Sequence, residues 1–378
     1  MIFSIECQIL LAISAAFYAA VMLGLLAGIR RLNHSRSEAK PFVSVIVAAR
    51  NEEANISALL DHLTHQDYPE FEVVIANDRS TDQTQSIIQQ YHSPRPVIRI
   101  VDIESLPSDM PPKKNALARA ISSSTGEILC FTDADCLPPP GWISALVAAF
   151  DQETGLVAGY SPYTANGRKD KHAMKWLQRF IEYEEFKGAI WSAGSIGMNK
   201  AWLCTGRSLA YRRKVYDEVG GFEKIKRSVS GDDDLFLQLV RRRTSWKFRY
   251  ITDKTSFVPT IPPQTFDAFV QQRTRHFSAG KYFPQSMKSF FLAFHAANFL
   301  LFSTLIVGLF SGFSGHVLWP FVLKCIIDSI LFFRTAPKFS QMKFSSSFLI
   351  MESLYVAYNT FIGPLGFIKR FEWKAQKV

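Results

Sequence analysis

Glu127-Ile128-Leu129-Cys130-Phe131-Thr132-Asp133-Ala134-Asp135-Cys136 is the stretch that decides the fold. Four apolar residues in a row, Ile128 to Phe131, bounded by Gly126 and Pro138, predict a buried strand of an α/β sheet. The run ends in two carboxylates one residue apart. Ligands of such sheets bind beyond the carboxyl ends of the strands, which is where Asp133 and Asp135 emerge. Paired hard oxygens there suit a divalent cation, Mg or Mn, that itself carries a phosphate. Taken alone, the same residues also describe a strand that ends in a solvated Asp-x-Asp turn, so the rest of the chain has to decide.

Working outward, the pattern on both sides is α/β. Val43 to Ala49 reads as a strand running into Arg50-Asn51-Glu52-Glu53, followed by a helix through Ile56, Leu59, Leu60 and Leu63. Phe71 to Ala76 is a second strand, ending in Asn77-Asp78-Arg79-Ser80-Thr81-Asp82, and Val97 to Val101 a third. Lys113-Lys114-Asn115-Ala116-Leu117 opens the helix that leads back to the first-quoted strand. Strands alternating with helices at this spacing predict a mostly parallel sheet. Beyond it, Trp142 to Phe150 reads as a helix and Gly155 to Tyr160 as a strand. Between Met174 and Ile190 the residues Trp176, Leu177, Phe180, Ile181, Tyr183 and Phe186 recur as in an amphipathic helix, its aromatic face set either on the sheet or toward lipid or an acyl acceptor.

The ends of the chain are of another kind. Ile9 to Ile29 is uncharged and long enough to cross a bilayer. Arg30, Arg31, His34, Arg36 and Lys40 follow it, so a retained anchor with the following residues cytoplasmic is expected rather than a cleaved signal. After Gln264 three further apolar segments appear: Phe290 to Phe310, Val317 to Phe333 with Lys324 and Asp328 four apart, and Phe348 to Ile368, interrupted by Glu352, Gly363, Pro364 and Gly366. Strict alternation would put Lys369, Arg370, Lys374 and Lys377 outside. A last segment that re-enters or lies at the interface keeps this basic tail cytoplasmic. The expected organisation is an anchor (1–30), a cytoplasmic α/β domain (41–285), C-terminal membrane segments (289–368) and a basic tail (369–378).

Among 378 residues, 48% are hydrophobic and the formal net charge is +10. Positive charge beside long apolar segments points to an anionic membrane surface. It argues against nucleic acid, because the basic residues gather at membrane edges and not on one soluble face. The five cysteines (Cys7, Cys130, Cys136, Cys204, Cys325) have no metal-ligand spacing and form no evident disulfide framework.

Three more groups carry possible chemistry. Arg50-Asn51-Glu52 and Asn77 to Asp82 stand at neighbouring strand ends and could hydrogen-bond a nucleobase and its ribose, although a turn and helix cap suffice for Thr81 and Asp82. Ser230-Gly231-Asp232-Asp233-Asp234 places three carboxylates at the start of a helix, more than a cap needs. Crowding raises the pKa of at least one, as suits a general base. Gln271-Gln272-Arg273-Thr274-Arg275-His276, read as a loop, offers guanidinium forks to a diphosphate, or else a juxtamembrane basic anchor.

With these motifs in order, the chain resembles family 2 inverting glycosyltransferases of the GT-A fold, of the membrane-bound kind that includes ceramide and carotenoid glucosyltransferases and polysaccharide synthases. The resemblance covers roughly residues 41 to 280. It rests on Val43 to Glu53, Asn77 to Asp82, Lys113 with Ala116-Leu117, Thr132 to Asp135, Thr205 to Arg213, Gly220-Gly221-Phe222, Gly231 to Leu235, and Gln272-x-x-Arg275-His276. It implies a nucleotide-diphosphate sugar donor, a uridine-linked one by preference, with Asp78 on the uridine and Arg50, Glu52, Lys113, Gln272, Arg273 and Arg275 also on the donor. Asp133 and Asp135 would serve metal and diphosphate. Asp233 would be the catalytic base, with Asp232 in the preceding acidic position. His276 stands where the family has Trp, which favours a non-processive enzyme. The expected function is transfer of one sugar, with inversion, to a lipid acceptor at the cytoplasmic face of a cell membrane. A processive polysaccharide synthase and a non-catalytic membrane scaffold are the alternatives.

Overall fold

The computed structural model describes residues 4–32, 37–93, 95–105, 109–164, 175–311, 313, 315–368, 372–373 and 376–377. His34, Arg36, Met174, Lys369, Arg370, Lys374 and the side chain of Lys377 lie outside the described residues. In chain order the elements are α1 (Ile5–Arg30), β1 (Val43–Ala49), α2 (Ile56–Thr64), β2 (Phe71–Asp78), α3 (Thr84–Gln90), β3 (Val97–Ile103), α4 (Pro112–Ser122), β4 (Ile128–Phe131), α5 (Trp142–Ala148) and β5 (Thr154–Gly159). Then come α6 (Lys175–Gly197), β6 (Leu209–Arg212), α7 (Arg213–Val219), α8 (Asp234–Arg243) and β7 (Lys247–Ile251). The helices α9 (Phe266–Ser278), α10 (Gln285–Ser311), α11 (Gly315–Thr335), α12 (Phe348–Phe361) and α13 (Leu365–Ile368) precede two short strands, β8 (Glu372–Trp373) and β9 (Gln376–Lys377). The chain forms two units, Leu32–Gln264 and Met1–Arg31 with Thr265–Val378.

In the first unit a seven-stranded sheet has the order β3-β2-β1-β4-β6-β5-β7. β3, β2, β1 and β4 are parallel, as the alternation of strands and helices predicts. β6 runs antiparallel to both β4 and β5, and β7 is parallel to β5. β1 is buried almost throughout, which is why it reads as a continuous apolar run and not as an alternation.

The amino edge of the sheet is locked by a carboxylate. Glu72 in β2 is only 2% exposed. It accepts from the Ser44 hydroxyl of β1 at 2.8 Å and from the Thr125 amide at 2.7 Å, and it pairs with Arg99 of β3 at 3.1 Å. Burial works against its charge, but the donors from Thr125 and Ser44 and the charge of Arg99 win and hold it below the usual carboxylate range. Ser44 also accepts from the Gly126 amide at 2.7 Å. Three strands and the turn into β4 are thereby fixed in register at one edge, which leaves the carboxyl edge free for function.

α6 corrects the amphipathic expectation. Its second half is buried on every face, Glu182 and Lys187 are buried as well, and Trp176 is the exposed aromatic at 54%. Phe180, Tyr183 and Phe186 pack inside the unit, which supports the sheet-packing alternative and not a lipid-facing one.

In the second unit α1, α10 and α11 are long and apolar enough to cross a membrane. The 348–368 segment is not a single span. It breaks at Gly363-Pro364 into α12, whose 14 residues reach about 21 Å at 1.5 Å per residue, and the short α13. Lys324 and Asp328 do pair across one turn of α11. Tyr18 of α1 donates to Asp328 and accepts from Lys324, and its ring stacks on Phe294 of α10 at 5.4 Å. Buried charge inside candidate spans is tolerated because each group has a partner. Gln271 to His276 lie on α9, not in a loop. Thr265 caps that helix by accepting from the Ala268 amide at 3.2 Å, and Phe269 seals its inner face against Tyr358 with ring centroids 5.8 Å apart.

A methyl group at position 126 would lie 2.4 Å from the Ser44 nitrogen, against rigid backbone. Gly126→Ala is therefore expected to cost about 1–3 kcal/mol, seen as a lowered melting temperature in tryptophan-fluorescence unfolding of the detergent-purified protein.

Candidate active site

The candidate site is built at the carboxyl edge, where β4 ends. The chain turns there, with the Cys136 amide donating to the Asp133 carbonyl at 3.1 Å, and the turn is anchored by the Leu137 amide on the Pro259 carbonyl at 3.0 Å. Asp135 is held inside this turn. Burial, then the nearby charges of Asp133 and Glu52, push its pKa up to about 6, with Arg207 pulling the other way. Such a site fits a cation. Two hard carboxylates stand close enough for the charge of Asp133 to raise Asp135, and Mg²⁺ in particular is bound by one or two carboxylates plus substrate phosphates. Among the described residues no cluster of three or more His, Cys, Asp or Glu side chains stands ready to hold a metal.

Lys113 joins this corner to the second acidic group. It opens α4 behind Pro111 and Pro112, where the helix dipole disfavours a cation. Its ammonium sits 2.9 Å from Asp133 and 3.1 Å from Asp232. Burial opposes its charge, yet Asp133 and Asp232 outweigh burial and hold its pKa above the ordinary lysine value. Its neighbour Lys114 reaches the other way and donates to the carbonyls of Ser228 and Ser230 at 2.5 and 2.8 Å, gripping the loop that presents the carboxylates. Burial brings Lys114 down to about 8.

The three aspartates divide their work. Gly231, at φ +86°, makes the left-handed turn that starts the run, a conformation costly for other residues. Asp232 faces Lys113. Desolvation works against its charge, but Lys113 and Lys114 hold its pKa below the usual value. Asp233 caps α8 through the Asp234 amide at 2.7 Å and accepts from the Gly206 amide at 3.0 Å. Burial and the Asp232 charge raise its pKa. Asp234 accepts from the Cys204 amide at 2.7 Å, and burial followed by the Asp233 charge raises it further. The crowding expected from the sequence is present, and it separates one low carboxylate from two raised ones.

At the neighbouring strand ends Asp78 is buried and bound by Arg79 at 2.8 Å. The loops after β1 and β2 are laced together. The Asn51 amide donates to the Ser80 hydroxyl at 3.0 Å, the Glu52 amide to Thr84 at 2.7 Å, and the Glu53 amide to Asp82 at 3.0 Å. Asp82 also caps the Thr84 amide at 3.0 Å, so Thr81 and Asp82 are loop-builders. Arg50 and Glu52 stand on the first of these loops. Gln272, Arg273 and Arg275 belong to the other unit, on α9, where Arg273 donates to Gln272 at 3.3 Å and Arg275 contacts His276 at 3.4 Å.

Sequence reasoning assigned no role to Lys114 or to Arg207. Arg207 pairs with Glu185 of α6 at 2.7 Å, donates to the Ser161 carbonyl at 3.3 Å and lies 4.5 Å over the Tyr163 ring. The signal for Lys114 was its place beside Lys113. That for Arg207 was its place in Thr-Gly-Arg-Ser, a motif that gave no individual task to the arginine.

A mostly parallel sheet whose carboxyl edge gathers acidic turns around a lysine is the GT-A arrangement. The mannosyltransferase PcManGT from Pyrobaculum calidifontis, solved in complex with GDP-Man and Mn2+, shares this fold: TM-score 0.53 and 19% identity, covering 92% of this chain and 99% of that one. Residues 44–220 match the model of Glycosyl transferase family 2, and the chain carries a glycosyltransferase domain of that family. Over 252 residues it is 26% identical to the probable glycosyltransferase YdaM of Bacillus subtilis, covering 64% of this chain and 56% of that protein. Over 204 residues it is 26% identical to the beta-monoglucosyldiacylglycerol synthase of Nostoc sp., covering 53% of this chain and 41% of that protein. The aligned part thus spans between about two fifths and just over half of these relatives.

The raised Asp135 gives a pH signature for the metal-free protein. Its folded-state pKa of about 6 lies above the ordinary 3.8, so between these values the folded state keeps a proton that the unfolded state has lost. Stability therefore falls as pH rises from about 4 to 6. Asp135→Asn removes this fall and melts higher than wild type at pH 7, whereas Mn²⁺ or Mg²⁺ stabilises wild type and not the variant. Thermal melts from pH 4 to 7, with and without metal, check both; identical curves for the two proteins would dismiss the repulsion.

Proposed function

We propose that this protein is a membrane-bound inverting glycosyltransferase that moves one sugar from a nucleotide-diphosphate sugar, a uridine-linked one by preference, to a lipid acceptor. The observation that carries the reading is Lys113 tying Asp133 to Asp232, because it joins a corner suited to cation and diphosphate to the acidic run that contains a raised carboxylate. The relative named for glucosyldiacylglycerol synthesis and the three long apolar helices support a lipid acceptor.

In this reading Asp78, Arg50 and Glu52 receive the nucleoside, and Lys113 neutralises phosphate charge from within the site. Asp133 and Asp135 would hold the divalent cation, Mg²⁺ or Mn²⁺, which when bound supplies further positive charge for the departing diphosphate. Asp233 takes the proton of the acceptor hydroxyl. The freed oxygen forms a bond to the anomeric carbon as the bond from that carbon to the diphosphate breaks, which inverts the configuration. A carboxylate with a raised pKa binds that proton more readily than an ordinary one. Asp232, held low by Lys113, keeps its charge and orients the lysine. Gln272, Arg273 and Arg275 are assigned to the diphosphate and acceptor.

The side on which this happens follows from charge. Gln8 near the start of α1 donates to the His316 carbonyl at 3.0 Å and accepts from Trp319 at 3.1 Å, so α1 and α11 run parallel. Arg30, Arg31 and Arg334 then share one end of these helices. By the positive-inside rule we assign that end, and the residues that follow Arg31 in sequence, to the cytoplasm.

The test is to supply membranes containing the protein with radiolabelled UDP-glucose, UDP-galactose, UDP-N-acetylglucosamine and GDP-mannose and to partition the products. One discrete labelled species in the organic phase is expected. A size-dispersed insoluble polymer would make the protein a polysaccharide synthase instead. Asp233→Asn should reduce transfer at least 100-fold while UDP affinity stays within about threefold of wild type; loss of UDP binding in that variant would remove Asp233 from the role of base.

A further inference from the structure

Lys113 and Lys114 are neighbours at the start of α4, yet their ammonium groups do different things. Lys113 is partly exposed and bridges the carboxylates of Asp133 and Asp232. Lys114 is fully buried, and its ammonium donates to two backbone carbonyls, that of Ser228 at 2.5 Å and that of Ser230 at 2.8 Å. Holding α4 in place needs no charge at this position. Ala116, Leu117, Ala120 and Ile121 are buried along the same helix, which lies against β1 and β2. Burying an ammonium is costly, and an apolar side chain would seat a helix on a sheet without that cost. The charge of Lys114 therefore serves the carbonyls it binds.

Those carbonyls stand just ahead of the acidic run. Ser230 is followed by Gly231, at φ +86°, and then by Asp232 and Asp233. On the far side α8 fixes the run, with the Leu235 amide on the Gly231 carbonyl at 3.2 Å and the Leu237 amide on the Asp233 carbonyl at 2.8 Å. On the near side the turn at Gly231 has no side chain of its own to hold it, and Lys114 supplies the anchor from α4. The two lysines thus grip one run at separate levels, Lys113 through the Asp232 side chain and Lys114 through the backbone before it. The levels differ in their response to a diphosphate. Phosphate oxygens compete with Asp133 and Asp232 for Lys113, whereas the burial of Lys114 keeps a ligand from its ammonium. We infer that Lys114 is a positioning residue: it holds the backbone of the acidic run while Lys113 turns to the diphosphate of the donor, so that Asp233 stays aligned on the acceptor hydroxyl. This rests on the transfer reading above and adds to it the group that keeps the base in place.

The experiment uses the full chain in nanodiscs and whichever of UDP-glucose, UDP-galactose, UDP-N-acetylglucosamine and GDP-mannose wild type transfers best. Folded sites are counted by titration with the matching nucleoside diphosphate. Lys114→Met removes the ammonium at nearly constant volume. Its kcat per folded site should fall about 10- to 100-fold, with donor KM and nucleotide affinity within about threefold of wild type. Lys114→Arg keeps a buried charge but is too long to seat on both carbonyls in the same way; it should lose kcat in the same pattern, which guards against a folding defect peculiar to the Met variant. Both substitutions are then repeated in Asp233→Asn. With the base already gone its misplacement costs little, so each should lower the residual transfer by less than about threefold. A wild-type kcat per folded site in the Lys114 variants would overturn the inference. So would equal fold losses with and without Asp233, because Lys114 would then act through another group. Loss of nucleotide-binding sites in both variants would make Lys114 a residue of the fold alone, with the same result. Absence of transfer by wild type from every donor is a different failure: it removes the transfer reading itself, and this inference with it.

Discussion

A single ammonium group ties together two parts of this protein that carry acidic groups. Lys113 contacts Asp133 at the end of β4 and Asp232 just before α8, residues about a hundred positions apart in sequence. Without it, Asp133, Asp135 and the run from Asp232 to Asp234 would be a field of like charges in a poorly solvated cleft, and such charges drive each other apart or take up protons. With it, Asp232 stays charged and low while Asp233 next door stays high. In the proposed reading, the difference between these adjacent carboxylates gives the site its acid–base direction.

The remaining structure keeps that lysine where it is. Glu72 fixes the register of β1, β2 and β3 at the amino edge, far along the strands from the site. Lys114 anchors the 228–230 loop from the same helical turn that carries Lys113. The amides of Cys204 and Gly206 hold Asp234 and Asp233. Most of these contacts use a charged or backbone donor in a buried setting, where hydrogen bonds are stronger and misplacement is dearer. In the helical unit the same rule appears as the cluster of Tyr18, Lys324 and Asp328, which joins α1 to α11 inside an otherwise apolar bundle.

Much of this was legible from the chain. The strands β1 to β5 follow from short apolar runs closed by turn residues, and the acidic groups announced themselves by position at strand ends and at a helix start. The Lys324 and Asp328 pair was readable because four residues make one helical turn. Other features were not. β6 has four residues, too few for a periodic signal, and it pairs antiparallel where the pattern spoke only for parallel neighbours. α6 looks amphipathic in its first half, yet it is buried all round in its second, because neighbours unrelated in sequence cover it. Gln271 to His276 were read as a loop because their polarity hid the Thr265 cap and the Phe269 anchor that make them a helix.

The sequence by itself determined which residue types stand at the carboxyl edge and at the membrane ends, because hydrophobic period, turn chemistry and charge are local properties. Only the tertiary structure decided which of those charges face each other. The pairing of Lys113 with Asp232, the separation of Asp232 from Asp233 in proton affinity, and the reach of Lys114 to the Ser228 and Ser230 carbonyls all depend on distances between segments far apart in the chain. Electrostatic and desolvation energies vary with those distances and with burial, and neither is written in the order of the residues.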